Sequence, residues 1–137
     1  MFKRSLLLGV VSGILAGLVS LAYQKVYASS LGYDFSEIVK PYNILATCVF
    51  AGIAAAVGFW ALTSWLKGRG EIVFNFLLVI LTFATILGPF AMKLPLEIEA
   101  PELFPGMVVP MHFFPALAWF TLKPLFFKPP QQQKVFA

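Results

Sequence analysis

His112 is the only imidazole in the chain, and it stands between Pro110 and Pro115 inside an apolar run. An ionisable side chain in such a run is costly and marks a functional hypothesis by default. Each proline also removes one helical N–H, so carbonyls nearby lose their donors. Two roles are open to the ring. It can be a neutral imidazole bonding a carbonyl or hydroxyl of a neighbouring helix, as buried polar groups usually are. It can also titrate or hold a ligand. Met107 and Met111 lie four apart on one helical face, next to His112, with Glu97, Glu99 and Glu102 upstream. Thioethers and an imidazole suit Cu(I), whereas two methionines at this spacing also serve as packing filler. We assign no metal and keep Met107, Met111 and His112 as the alternative set. The candidate functional residues are His112, Pro110 and Pro115.

The rest of the chain is poor in reactive groups. Cys48 is the one cysteine, so no internal disulfide forms, and it sits in an apolar run as a small buried thiol does. HExxH, GxSxG, P-loop and dinucleotide-binding glycine patterns are all missing. One histidine cannot supply two axial ligands to a haem. Without a nucleophile and base to pair, we expect no enzyme, no catalytic residue and no cofactor.

These residues must be held by membrane-spanning helices. Hydrophobic residues make up 60% of the 137 and charged ones 12%, against about 45–50% and 25% in soluble domains. Such a chain has too little polar surface to cover itself in water. Its apolar runs predict an all-α, polytopic membrane protein, an antiparallel four-transmembrane-helix bundle in a single domain. The spans are expected at about residues 5–24, 42–66, 72–92 and 105–122, with a polar tail over 123–137. A secretory leader is the rival for the first span. Its run is longer than the usual ~7–15 residues, and Gln24-Lys25 interrupts it before the small residues of Val26-Tyr27-Ala28.

Punctuation between the spans is clear. Ser36 can cap a short turn that Pro41 ends, and Tyr23, Tyr27, Tyr33 and Tyr42 cluster there as interfacial rings do. Lys67-Gly-Arg-Gly-Glu71 reads as a tight turn joining spans two and three as an αα-hairpin. Thr82 and Thr85 are expected to bond back to their own helix, and Gly88-Pro89 to kink or end it. Pro105 suits the first turn of span four.

Two spans carry small-residue faces. Gly9, Gly13 and Gly17 repeat every four residues, and Gly52, Ala54, Ala55, Ala56 and Gly58 make a thin surface in span two. Small residues let helix backbones approach in lipid. The faces serve either packing within the chain, which we favour, or a homo-oligomer.

Charge sets the threading. Lys3, Arg4, Lys67, Arg69, Lys123, Lys128 and Lys134 fall on one side, and only Lys25, Lys40 and Lys93 on the other. The positive-inside rule then places both termini in the cytoplasm. The net charge of +4 is thereby a topology signal, and no nucleic-acid partner is expected.

Three pieces, Gly32-Tyr-Asp-Phe-Ser36, Leu87-Gly-Pro-Phe90 and Met111-His-Phe-Phe-Pro-Ala-Leu117, resemble an uncharacterised family of small bacterial four-helix integral membrane proteins. The resemblance implies a bacterial plasma-membrane location and carries over no site residues. On residues alone, the expected role is a structural or accessory protein that packs helices with itself or a membrane-protein partner in the lipid bilayer. The alternative is an oligomeric carrier or channel subunit for a proton, ion or lipid-like molecule, with a site near His112.

Overall fold

A computed structural model describes residues 2–33, 35, 38–91 and 101–127. Among these the chain forms α1 (Phe2–Leu31), α2 (Pro41–Leu66), α3 (Gly70–Ala91) and α4 (Phe104–Phe126). Short 3-10 turns, Lys67–Arg69 and Pro101–Leu103, precede α3 and α4. The expected cap at Ser36, the acidic positions Glu97 and Glu99, and the tail beyond residue 127 lie outside the described residues.

Three stretches are long and apolar enough to cross a membrane: Phe2–Leu31, Pro41–Ala91 and Pro101–Phe126. The middle one, of 51 residues, holds both α2 and α3, and the 3-10 turn divides it. Gly70 makes that reversal close. A Cβ there would run into the Leu62 carbonyl, so Gly70 is needed. Gly68 has nothing near it. Lys67 takes the positive φ of 51° instead, a conformation that side chains rarely adopt.

Two helix ends differ from expectation. The helix of the first span runs past Gln24 to Leu31, because polar residues alone do not stop a helix. Gly32 does: at φ +77° its N–H returns to the Ala28 carbonyl at 2.9 Å, a left-handed C-terminal cap. At the other extreme, α4 continues through Lys123 and Pro124 to Phe126.

The helices stand at the corners of a square. α1 lies against α2 and α4, α3 also lies against α2 and α4, and only α2 and α4 meet across a diagonal. Neighbours are antiparallel. Gly9 meets Gly52 while Gly17 meets Leu45. Tyr27 meets Leu103 while Leu8 shares a cluster with Trp119. One end of the bundle, the turn end, therefore holds Phe2, the 66–70 turn and Phe126. The opposite, loop end holds residues 32, 33, 35, 38–40 and 101–104.

Two apolar clusters form the core. Phe35, Ile44, Phe104, Met107 and Met111 pack at the loop end. Leu8, Ala56, Phe59, Phe74 and Trp119 pack at the turn end, where Phe59 stands edge-on to both Phe74 and Trp119. The outer faces are apolar too: Phe50 is 73% exposed and Leu125 76%. Exposure of this kind is not scattered; it runs along every helix, which marks surface meant for an apolar medium or partner.

Candidate functional site: a cleft between α2 and α3

α1 and α2 approach closely along a glycine seam. Gly9 and Gly52 face each other so closely that a Cβ on either would strike the other's carbonyl. At Gly13 it would stand 2.7 Å from the Cys48 carbonyl oxygen and 2.8 Å from Val49 Cα. At Gly17 it would meet the Leu45 side chain at 2.5 Å. Gly58 belongs elsewhere, in ordinary contact with Phe74 of α3 at 3.8 Å.

α3 is attached differently. Its contacts with α2 gather near the turn, where Gly58 and Phe59 touch Phe74 and Leu62 touches Gly70. Its contacts with α4 continue along the bundle, from the Glu71–Lys123 ion pair through Phe74–Trp119 to Phe83–Phe113. Away from the turn α2 and α3 therefore part. The gap is a cavity of about 590 Å³, within the range of small-molecule sites. Its rims are exposed residues, Asn43, Thr47 and Ala54 on α2 and Leu77, Leu81 and Thr85 on α3. Its back wall is α4, with Val108, Met111, His112, Pro115, Ala116 and Trp119, and its floor includes Ser12, Gly13 and Ser20 of α1.

The lining is graded. Asn43, Thr47, Thr82, Thr85, His112 and Ser20 converge from four helices at the loop end. Towards the turn end the wall is Ala55, Gly58, Leu62, Phe74, Leu77, Leu78 and Trp119. Among the described residues no Asp, Glu, Lys or Arg lines the cavity.

His112 is half-buried on this wall, and its Nδ1 lies 2.8 Å from the Val108 carbonyl oxygen of its own helix. A carbonyl only accepts, so Nδ1 carries the proton and, in the neutral ring, Nε2 is left as an acceptor. This corrects the expectation of a bond to a neighbouring helix. The helix bond is available locally because Val108 lies one turn back, which costs no helix–helix adjustment.

The neighbouring prolines have separate fates. Pro110 has no N–H for the Gly106 carbonyl, and the Tyr23 hydroxyl of α1 donates to that oxygen at 3.0 Å. Beside it the Tyr27 hydroxyl donates to the Leu103 carbonyl at 2.6 Å. Both tyrosines, expected as interfacial rings, thus tie α1 to the start of α4. Pro115 frees the Met111 carbonyl and Pro89, inside α3, frees that of Thr85; both of those residues line the cavity.

Met107 is 1% exposed and packs in the core with Ala16 and Phe104, away from the cavity wall that Met111 and His112 share. Among the described residues no group of three or more His, Cys, Asp or Glu comes together. Thr82 and Thr85 bond back to the carbonyls of Leu78 and Thr82, each at 2.7 Å, as their helical setting predicts.

Sequence reasoning did not single out Asn43, Thr47 or Trp119, and it reads Ser20 only in a small-residue row with Ser12 and Ala16. Ser20 Oγ and Trp119 Nε1 are buried with no oxygen or nitrogen partner among the described residues. The Cys48 thiol lies beside Ser20, but a thiol is a weak partner. A serine one turn from a glycine in a small-residue row was the available signal, and it reads equally as packing. The chain matches no protein-family model, no curated protein and no solved structure.

Proposed function

We propose that this chain is a four-span, non-enzymatic protein of a bacterial plasma membrane, with both termini in the cytoplasm, that takes up a lipid-like molecule between α2 and α3. The cleft carries the reading. Its 590 Å³ opens along the side of the bundle through the exposed rims of α2 and α3, where a membrane would present its hydrocarbon. The apolar outer faces support the membrane setting. The charges support the threading: Lys3, Arg4, Lys67, Arg69 and Lys123 all gather at the turn end.

The accessory, helix-packing role rests on the glycine rows. Gly9, Gly13, Gly17 and Gly52 already pack on α1 and α2 within one chain, so the cleft is the better-supported contact with an outside molecule. A proton or ion path is supported less. Nδ1 of His112 is bonded to its own helix, and among the described residues no carboxylate or cation joins His112 in the lining.

The test is the composition of the purified protein. Lipid retained through detergent exchange should be released on denaturation and identified by mass spectrometry. Ala51→Phe, which plants a ring in the cleft, should lose that lipid while keeping its helical spectrum. Equal retention by Ala51→Phe, or co-purification of a membrane protein with no retained lipid, would refute this role.

A further inference from the structure

The cleft has a direction, and its chemistry selects a class of guest. The geometry points to an amphiphile with an uncharged, hydroxyl-bearing head at the loop end and its apolar chain running towards Trp119. This inference rests on the lipid-binding reading above and adds the head group and the orientation.

Length comes first. From Asn43 to Leu62 the lining spans 19 residues of α2, or about 28 Å at ~1.5 Å per residue.

The head is set by the hydrogen-bond inventory. At the loop end the wall offers acceptors: Nε2 of His112, the hydroxyl oxygens of Thr82 and Thr85, whose protons are already given to helix carbonyls, and the carbonyls of Thr85 and Met111 that Pro89 and Pro115 deprive of donors. A guest that satisfies them must donate. Ser20 Oγ, buried and without an oxygen or nitrogen partner among the described residues, and the rim residues Asn43 and Thr47 can both give and take, so the head that matches the whole set both donates and accepts. Among the described residues an anionic head finds no cation in the lining, and a cationic head finds no carboxylate, so burying either there is costly. A hydroxyl meets the requirement.

Trp119 reports on the chain end of the guest. It is 1% exposed and lines the cavity, while Trp60 and Trp65 are exposed on α2. In a Trp60→Phe/Trp65→Phe variant of the full chain in detergent, Trp119 is the one remaining indole. Three probes with brominated chains are compared by quenching: a diacylglycerol with a free hydroxyl, a phosphatidic acid and a fatty acyl methyl ester. The diacylglycerol should quench at roughly three- to tenfold lower concentration than the methyl ester, the worth of one or two net hydrogen bonds, and the phosphatidic acid should be no better than the ester. His112→Leu should abolish that preference while leaving methyl-ester quenching unchanged. If it loses ester quenching as well, His112→Gln, which keeps a side-chain acceptor, decides by retaining or losing the preference. Equal quenching by all three probes overturns the head assignment and leaves the lipid reading standing. A preference for phosphatidic acid also overturns it. If no probe quenches Trp119, both inferences fall.

Discussion

Adding one methyl group at Gly13 and one at Gly58 is the same chemical change at two places in the fold, with opposite expected outcomes. At Gly13 the new Cβ would stand 2.7 Å from the Cys48 carbonyl oxygen and 2.8 Å from Val49 Cα, where relaxed carbon contacts lie near 3.5–4.0 Å. Both obstacles are backbone, so no side chain can rotate away. α1 and α2 must separate by about 1 Å, and a gap of that size forfeits roughly a quarter to a half of each contact's attraction along the seam. Overpacking of this kind costs about 1–3 kcal/mol, and the gain in helix propensity from glycine to alanine, at most ~1 kcal/mol, offsets only part. At Gly58 the nearest atom is Phe74 Cε2 at 3.8 Å, an ordinary contact, so Gly58→Ala keeps the propensity gain. We expect Gly13→Ala to be less stable than Gly58→Ala by about 2 kcal/mol, the overpacking cost that only Gly13 incurs. Equilibrium unfolding in mixed micelles, followed by helical circular dichroism, measures it. Equal stability of the two variants would refute the seam. If Gly13→Ala instead lowered the particle size with stability intact, the glycine row would be joining separate chains.

Two further perturbations probe the polar contacts. Tyr23→Phe leaves the exposed Gly106 carbonyl without its donor and should cost about 0.5–1.5 kcal/mol, the net worth of one hydrogen bond. The loss should shrink in a Pro110→Ala background, where a restored backbone N–H serves the same oxygen; a double-mutant cycle with no coupling would show that the hydroxyl does not compensate the proline. Glu71→Gln removes the ion pair with Lys123, but Glu71 is 54% exposed, so the cost should stay below about 1 kcal/mol and fall further with added salt. A larger, salt-independent loss would mean that the pair is shielded from solvent.

Much of the helical layout was legible because apolar runs and their breakers act locally. Gly70 belongs to the turn that Lys67-Gly-Arg-Gly-Glu71 announces, whereas the left-handed cap at Gly32 was not read from the sequence. The end of α1 was harder: Gln24, Lys25 and Ser29 look like an exit from a membrane, yet Gln24 keeps its place by donating from Nε2 to the Val39 carbonyl at 2.8 Å. The glycine rows were legible as close-packing faces, though which faces meet depends on the pairing of helices. The cleft was not legible. Leu77, Leu78 and Leu81 have the same composition whether they face a bilayer, a neighbour or a gap. Asn43, Thr47 and Ser20 are unremarkable singly, and they matter only where the helices bring them together.

The prolines show why sequence pointed to the right segment with an incomplete reason. Pro89, Pro110 and Pro115 do the same thing to the backbone: each deprives one carbonyl of its donor. The consequence depends on how close the next helix stands. Gly106 lies where α1 and α4 are in contact, and Tyr23 reaches its oxygen, so Pro110 is absorbed into packing. Thr85 and Met111 lie on the walls of the cleft, where α2 and α3 have parted and no such reach is required by the fold. His112 sits on that same stretch of wall, its Nδ1 satisfied at home and its Nε2 not. One sequence feature thus divides into a half absorbed by packing and a half left open on the cleft, and the dividing line is the splay of α3 away from α2.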